Sequence, residues 1–343
     1  MLRFARWAAT AAMLALASGV QAAPRDALDV RLSVPTPVLR GDVDVTVTVT
    51  VTNTARHPVE LLKWQLPSDE LEGALFNITR DAQKVSYLGP IVKRTAPQAS
   101  DHVKLEAGAS LSFVVELTGA YDLSQSGRYA IEYASRAKHG DAVTLASAPL
   151  YLWLEGRSGA AAKPAPQPSV GASLSYTGNC SASQQTTLAQ AVSAATTYAT
   201  ESNSYLGRTA SSTPRYVTWF GTFSNAGRTT ANMHFAAEES AFKTQSLVLD
   251  CKCKKANIYA YVYPTQPYKI YLCGAFWSAP LTGTDSKGGT LIHEMSHFNV
   301  VASTDDWAYG QTNARALAIS DPTKALDNAD SHEYFAENTP AQP

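Results

Sequence analysis

The sequence His293-Glu294-Met295-Ser296-His297 decides more about this chain than any other stretch. On an α-helix, residues four positions apart lie on one face, so the two histidines can present their imidazoles to a single metal ion. Glu294 stands beside them, where a carboxylate can act as a general base. Residues 284–290 contain cap-type side chains and precede apolar Leu291 and Ile292, which indicates a helix start. The pattern therefore predicts a zinc-binding helix with a base next to the metal.

A catalytic zinc ion normally has three protein ligands and one open position, so a third ligand must follow His297. The extended pattern that ends in glycine and a third histidine is excluded, because Val300 and Ser303 stand at those positions. The downstream carboxylate candidates are Asp305, Asp306, Glu333 and Glu337. The two aspartates are favoured because they follow a short loop that can turn the chain back under the metal. The residues alone do not choose between them.

This part of the chain resembles the aspzincin family, which comprises deuterolysin and the peptidyl-Lys metalloendopeptidases. The family carries His-Glu-x-x-His and then Thr-x-Asp-aromatic-Ala-Tyr-Gly, and residues 304–310 read Thr-Asp-Asp-Trp-Ala-Tyr-Gly. Residues 328–338 are similar to the lysine-specific branch, and residues 176–180, Tyr-Thr-Gly-Asn-Cys, are similar to the start of its mature enzyme. The resemblance covers about half of the chain. One departure is Ser303, where the family usually has glycine, a residue that tolerates positive φ better than serine does.

The resemblance implies a role for each residue of the site. The implied ligands of one zinc ion per catalytic domain are His293, His297 and Asp306. Glu294 would be the general base, and Tyr309 would donate a hydrogen bond to the oxyanion. Asp330 would pair with the ammonium of a substrate lysine in the S1′ pocket, assisted by the main-chain carbonyl of Glu333. The implied reaction is hydrolysis of protein or peptide substrates on the amino side of lysine, at Xaa-Lys bonds.

Several of these residues also have a plainer interpretation. Tyr309 could be an ordinary core tyrosine. The sequence from Asp330 to Glu333 has the form of a helix capping box, in which Asp330 would accept hydrogen bonds from the first turn. The alternative function is a deuterolysin-like protease of broader specificity. A non-catalytic secreted binding protein is less favoured, because a structural zinc site is usually closed by a fourth ligand and has no use for Glu294.

The front of the chain predicts export. Arg3 and Arg6 precede an apolar run over residues 7–20, and Val20-Gln21-Ala22 offers a signal-peptidase site, so residues 1–22 read as a signal peptide. The run is too short and too rich in alanine for a membrane span, and a secreted, extracellular protein is expected. The chain has 28 basic and 29 acidic residues with no long basic run, which argues against nucleic-acid binding. A monomer is expected.

Cysteine usage agrees with export. The four cysteines are Cys180, Cys251, Cys253 and Cys273. An even number of cysteines suits an oxidising compartment, and the residues alone leave three connectivities open. The family resemblance implies disulfides between Cys180 and Cys251 and between Cys253 and Cys273.

The chain length indicates two folded units. Residues 43–51 alternate strictly between valine and polar residues, and shorter alternations near residues 111–117, 129–133 and 150–154 predict further strands. Residues 23–156 are therefore expected to form a β-sandwich propeptide that acts as folding chaperone and inhibitor, the alternative being an accessory binding domain that stays attached. Residues 157–175 read as a linker rich in proline, alanine and glycine. Since no lysine lies near residues 175–176, processing would need another protease or a different site, such as the bond before Lys163.

Residues 176–343 are expected to form an α+β, zincin-like catalytic domain. Helices are predicted near residues 183–205, 311–319 and 331–338, and strands near residues 258–263 and 268–272. A strand beside the metal helix would offer an open edge. An extended peptide substrate could add itself to that edge as another strand.

Overall fold

A computed structural model describes residues 27–68, 71–135, 144–158 and 173–343. The predicted signal peptide and most of the predicted linker lie outside these residues. The strands are β1 (Leu28–Ser33), β2 (Val38–Arg40), β3 (Thr46–Asn53), β4 (Val59–Leu62), β5 (Phe76–Arg80), β6 (Gln83–Lys84), β7 (Ile91–Arg94), β8 (His102–Leu105), β9 (Ser110–Glu116), β10 (Gly127–Ser135), β11 (Leu145–Ala146), β12 (Leu150–Glu155), β13 (Ser173–Thr177), β14 (Ser246–Asp250), β15 (Ile258–Val262) and β16 (Lys269–Leu272). The helices are α1 (Ala182–Arg208), α2 (Pro214–Phe220), α3 (Asn225–Thr244), α4 (Gly274–Ser278), α5 (Lys287–Ser296), α6 (Gly310–Ser320), α7 (Pro322–Leu326) and α8 (Ala329–Glu337).

The N-terminal half is built mainly from two sheets that face one apolar core. One sheet has the order β1-β3-β9 and the other β2-β12-β10-β5-β6, with β11 added to β10, while β4 and β8 form a separate pair. In β3, Val47, Val49 and Val51 are fully buried and the intervening threonines are partly exposed, as the strict alternation predicts. Side chains from both sheets join a single buried cluster. All four segments with predicted alternation contain strands, and the arrangement is that of a β-sandwich.

The C-terminal half combines a second sheet with helices. The sheet has the order β13-β14-β16-β15-β7, and helices α1, α3, α5 and α8 pack together beside it. The predicted helices correspond to α1, α6 and α8, and the predicted strands to β15 and β16. Helices α2, α3, α4 and α7 were not predicted. The strand β13 begins at Ser173, so regular structure starts before Tyr176 and includes the last residues of the predicted linker.

The outermost strand of the second sheet comes from the N-terminal half. Strand β7 pairs antiparallel with β15, with Val92 opposite Tyr261 and Lys93 opposite Ala260. The sequence predicted a self-contained sandwich over residues 23–156, but this strand leaves the sandwich and completes the sheet of the other half. The edge that was expected to receive a substrate is therefore occupied by a segment of the same chain.

Two disulfides join loops around this sheet. Cys180, just before α1, is bonded to Cys251 at the end of β14, and Cys253 is bonded to Cys273 at the end of β16. This is the pairing that the family resemblance implies. The second bond encloses β15 and β16 within one loop, which restrains the strand that pairs with β7.

One residue in the loop after α5, Ser303, has a backbone conformation that favours glycine. Ser303 has a φ of 55°, and a non-glycine residue in this left-handed region costs roughly 1–2 kcal/mol. Glycine would relieve this cost but would lose about 0.5–1 kcal/mol more backbone entropy on folding. We expect Ser303→Gly to raise the free energy of unfolding by about 0.5 kcal/mol, measured by thermal or denaturant unfolding. Ser303→Ala, which keeps the Cβ and also lacks the hydroxyl, should show no gain; equal gains in both variants would contradict the backbone explanation.

Candidate active site

Helix α5, which carries the predicted metal ligand His293, is fixed at its start by capping. The Ser286 hydroxyl accepts a hydrogen bond from the Gly289 amide at 2.9 Å, which satisfies one of the free donors of the first turn of α5. Every residue of α5 is buried. His297 directly follows the helix and keeps helical angles, with φ −69° and ψ −25°. His293 and His297 therefore lie on one face, as predicted.

Glu337, one of the candidate ligands, lies at the opposite end of this helix. Its carboxylate accepts hydrogen bonds from the Ser286 amide and hydroxyl, both at 2.8 Å, and from the Asp285 amide at 3.1 Å. A Cβ at Gly289 would lie 2.0 Å from this carboxylate, which explains the glycine there. Burial and the neighbouring Glu333 raise the pKa of Glu337 to about 9. Glu337 therefore anchors α8 to α5 and is not placed to bind a metal beside the histidines.

Three atoms that could each bind a metal ion meet at the C-terminal end of α5. Asp306 Oδ1 lies 3.2 Å from His293 Nε2 and 3.4 Å from His297 Nε2. All three atoms are buried and have no hydrogen-bond partner within the described part of the chain. Asp305 lies outside this cluster, since one of its carboxylate oxygens accepts from the Asp306 amide at 2.8 Å. Two imidazole nitrogens and one carboxylate oxygen, buried and unpartnered, fit a zinc ion with one open position.

The two histidine rings are oriented by contacts at their Nδ1 atoms, on the side away from the candidate metal site. His297 Nδ1 donates to the Thr304 carbonyl at 2.8 Å, which leaves Nε2 as the ligand atom. His293 Nδ1 lies 2.8 Å from Asp330 Oδ1, the arrangement in which a carboxylate steadies a metal-binding imidazole. The sequence did not reveal the role of the Thr304 carbonyl, because a backbone contact leaves no residue-type signal.

Asn328 holds the loop that carries Asp306. Its side-chain oxygen accepts from the amides of Trp307 and Ala308, both at 2.9 Å, and its amide nitrogen donates to Ser331 at 3.0 Å. This fully buried asparagine joins the metal loop to the start of α8. It was not identified from the sequence, where it appeared only as part of the family segment.

Two further predicted residues, Glu294 and Tyr309, lie near the same three candidate metal-ligand atoms. The Glu294 carboxylate is fully buried, and neither oxygen has a hydrogen-bond partner among the described residues. Burial raises the pKa of Glu294 to about 7, against the effect of the two histidines. The Tyr309 hydroxyl lies 2.8 Å from the carbonyl oxygen of Val92 in β7 and also contacts Asp306 Oδ2. A buried carboxylate and a tyrosine hydroxyl thus lie close to the three candidate metal-ligand atoms.

A buried lysine fills a carboxylate pocket next to this centre. The Lys93 ammonium lies 3.1 Å from Asp330 Oδ1 and 2.5 Å from Glu333 Oε2, and 5.5 Å from the centre of the Tyr259 ring. The side chains of Lys93, Asp330 and Glu333 are 2%, 1% and 0% exposed. Burial alone would lower the pKa of Lys93, but the two carboxylates outweigh it and hold the pKa well above the usual value. The pocket is therefore built for a cation.

Glu333 and Asp330 make contacts in this pocket that the sequence did not predict. Glu333 contacts the Lys93 ammonium through its side-chain carboxylate, whereas the role implied by the resemblance is contact of its main-chain carbonyl with a substrate lysine. The capping-box interpretation of Asp330 is wrong, because α8 has Asn328 at its N-cap and no side-chain capping bond. Asp330 Oδ2 instead accepts from the Gly310 amide at 2.6 Å. Lys93 and Tyr259 were missed, since neither lies in a recognisable motif.

A cleft of about 590 Å³ leads to the centre between the two halves of the chain. Its walls include Trp64, Tyr87 and Arg94 from the N-terminal half and His297, Trp307 and Tyr309 from the C-terminal half. The lining also includes Asp306, so the cleft reaches two of the three candidate metal ligands. It provides room for a water molecule and for part of a peptide.

Comparison with known proteins decides the family. An extracellular protease of Aeromonas hydrophila is 45% identical over 343 residues, which cover 95% of this chain and 97% of that protein. The family described as lysine-specific metallo-endopeptidase, the aspzincins, matches residues 205–337. The chain belongs to the aspzincin family. A peptidyl-Lys metalloendopeptidase of Grifola frondosa is 37% identical over 352 residues, covering 96% of this chain and 98% of that enzyme. Another, from Pleurotus ostreatus, is 53% identical over 162 residues, covering 47% of this chain and 96% of that enzyme.

Membership of the aspzincin family makes the chain a metalloendopeptidase, a hydrolase of peptide bonds. The family implies a zinc cofactor, which the donor set described above fits. The interpretation as a non-catalytic binding protein is therefore wrong. Among the described residues, no helix is both long enough and apolar enough to span a membrane.

Proposed function

We propose that this aspzincin is a secreted zinc endopeptidase that hydrolyses peptide bonds on the amino side of lysine. The observation that carries the proposal is the Lys93 ammonium held between Asp330 and Glu333, next to the metal-binding atoms. The pocket accepts a long side chain and ends in two buried carboxylates. A neutral side chain of the same length would leave those carboxylates without a partner, which is costly in a buried site.

The register of β7 supports the proposed direction of cleavage. The residue that fills the pocket is Lys93, and the carbonyl beside the Tyr309 hydroxyl belongs to the preceding residue, Val92. A peptide bound in this register presents the bond before its lysine to the reacting groups. Lysine then occupies the P1′ position, as the two relatives named peptidyl-Lys metalloendopeptidases suggest.

His293, His297 and Asp306 would hold the zinc ion. When bound, zinc supplies a Lewis acid that polarises the scissile carbonyl and lowers the pKa of a water molecule toward about 7. Glu294 takes the proton of the attacking water and passes it to the leaving lysine nitrogen. Tyr309 donates a hydrogen bond to the carbonyl oxygen as negative charge develops on it. Asp330 and Glu333 fix the lysine side chain and thereby the position of the bond.

The domain roles form part of the same proposal. Residues 1–22 act as the signal peptide, residues 23–156 as a propeptide, residues 157–175 as the linker and residues 176–343 as the catalytic domain. The signal-like N-terminus and the name of the Aeromonas relative support export. The Pleurotus relative, which matches 47% of this chain over 96% of its own length, supports a catalytic unit of about half the chain.

Peptide mapping tests the proposal. The protein, activated by limited proteolysis, is incubated with a denatured protein of known sequence, with and without a zinc chelator, and the new termini are identified by mass spectrometry. Chelator-sensitive peptides that begin with lysine are expected. Mixed N-terminal residues would favour the broader deuterolysin-like specificity, and cleavage that survives the chelator would contradict the metal mechanism.

Removing the Tyr309 hydroxyl should slow the chemical step. Loss of one oxyanion donor typically lowers kcat about 10²-fold, so Tyr309→Phe is expected to lower kcat by about that factor with little change in KM. Steady-state kinetics on a lysine-containing peptide measure both constants. Tyr268→Phe changes another largely buried tyrosine, away from the metal-binding atoms, and should leave kcat unchanged. An unchanged kcat in Tyr309→Phe would assign the tyrosine to the core instead.

A further inference from the structure

A small apolar cluster lies at the edge of the second sheet, separate from the two large cores of the chain. Its buried members are Val92, Ile258 and Cys273, and the partly buried Cys253 and Tyr261 pack against it. Val92 comes from β7, and the other described members belong to the C-terminal half, on β15 or in the disulfide. The C-terminal half thus offers an apolar surface that receives one side chain from the neighbouring strand.

This apolar surface and the cation pocket lie on opposite faces of the sheet edge. Val92 and Lys93 are successive residues of β7, and successive side chains of a strand point to opposite faces. The Lys93 side chain reaches Asp330 and Glu333. Val92 is directly opposite Tyr261 in the antiparallel pair of β7 and β15, where paired side chains share a face. Two adjacent residues of one strand therefore enter two different environments.

The Tyr261 ring is held in place by two other tyrosines. It stacks on the Tyr271 ring, with centroids 4.5 Å apart and an angle of 3° between the planes. The Tyr263 ring meets both rings edge-on, at 6.1 Å and 5.8 Å. The disulfide Cys253–Cys273 adds a second rigid component to the surface. Little conformational freedom is left to lose when a side chain binds there, which favours binding.

The position of Val92 is defined relative to the reacting groups. Its carbonyl oxygen lies 2.8 Å from the Tyr309 hydroxyl, the proposed donor to the scissile carbonyl. A peptide that pairs with β15 in the register of β7 places there the carbonyl of the residue before its lysine, which is the P1 residue. The side chain of that P1 residue then points toward Tyr261.

We propose that Tyr261, Ile258 and the Cys253–Cys273 disulfide form the S1 subsite and select an aliphatic P1 residue. This inference rests on the proposed Xaa-Lys function and adds a second determinant of specificity to it. An aliphatic side chain removes the apolar surface of the ring and of the disulfide from water, whereas an alanine side chain leaves much of that surface exposed. Bonds between valine and lysine should thus be hydrolysed faster than bonds between alanine and lysine.

The first test needs no variant. Wild-type enzyme activated by limited proteolysis is given a mixture of two lysine peptides that differ only in valine or alanine at P1, and mass spectrometry follows both initial rates. We expect kcat/KM to be about tenfold higher for the valine peptide, since the loss of a methylene group from an apolar pocket has an effect of about this size or larger. Rates within about twofold of each other would overturn the S1 assignment alone. If no lysine peptide is hydrolysed, the proposed function itself fails.

Variants of Tyr261 test the role of the ring. Tyr261→Ala removes the ring, and we expect the valine-to-alanine ratio of kcat/KM to fall below about threefold. Tyr261→Phe keeps the ring without the hydroxyl and should keep the wild-type ratio. The intrinsic backbone preferences of the two peptides are the same for every enzyme, so a change in the ratio reports the subsite. Retention of the ratio in Tyr261→Ala, or its loss in Tyr261→Phe, would overturn the assignment.

A second ratio distinguishes the subsite from general loosening of β15. The same variants are assayed on a pair of peptides with lysine or norleucine at P1′. Because the cation pocket lies on the other face of the sheet edge, Tyr261→Ala should keep the lysine-to-norleucine ratio within about twofold of wild type. A fall of both ratios together in this variant would assign Tyr261 to the structure of the strand and overturn its role in P1 selection.

Discussion

Glu294→Gln is expected to abolish peptide hydrolysis almost completely, with kcat reduced by about 10³-fold or more. Glutamine has nearly the same shape as glutamate but cannot take up the proton of the attacking water. The side chain is buried and has no hydrogen-bond partner among the described residues, so the substitution breaks no existing bond. Steady-state hydrolysis of a lysine peptide by the activated variant measures the effect, and zinc content is determined on the same sample.

Glu238→Gln is the matched control for this substitution. Glu238 on α3 is also fully buried with no described partner for either oxygen, but it lies outside the metal cluster. Burial raises the pKa of Glu238 well above the usual value, so the neutral glutamine imitates its protonated state. The control should retain wild-type kcat. A Glu294→Gln enzyme with full zinc content and more than about a tenth of wild-type kcat would contradict the role of Glu294 as general base.

The clustering of the candidate metal ligands was largely predictable because its main signal is local. The spacing of His293 and His297 places two ligands on one helical face whatever the rest of the fold does. Asp306 needed the family resemblance, since helical periodicity gives no means of choosing it over Asp305. The strands of the sandwich were also predictable, because the alternation of valine and threonine in β3 directly reflects a sheet with one buried face.

Features that depend on contacts between distant parts of the chain were not predictable. Strand β7 looks like any short strand of the sandwich, and only the folded chain shows that it pairs with β15. The ion pair of Lys93 with Asp330 joins residues 237 positions apart, for which a single sequence carries no signal. The capping-box interpretation failed for the same reason. Asp330 has the local sequence of an N-cap, but its carboxylate bonds to Gly310 and Lys93 instead.

Asp330→Asn is expected to remove most of the preference for lysine. Loss of one partner from a buried charge pair costs about 2–5 kcal/mol, so the ratio of kcat/KM for a lysine peptide to that for its norleucine counterpart should fall by about 30-fold to 5,000-fold. Norleucine has the length of lysine without the ammonium. Asp330 also lies 2.8 Å from His293 and accepts from Gly310, so the overall rate will fall as well. The ratio is therefore the informative quantity, and it is measured on the enzyme activated by limited proteolysis.

Asp327→Asn provides the matched control for the pocket. Asp327 accepts a hydrogen bond from the Trp307 indole at 2.8 Å, near the metal loop but outside the lysine pocket. This variant should keep the wild-type preference even if its rate falls, whereas Glu333→Gln, which removes the second partner of the ammonium, should lower the ratio in the same direction as Asp330→Asn. If Asp330→Asn retains its zinc and its lysine-to-norleucine ratio stays within about threefold of wild type, Asp330 does not select the substrate. Its carboxylate would then serve only to orient His293 and the start of α6, and lysine selection would have to rest on Glu333 and the Tyr259 ring.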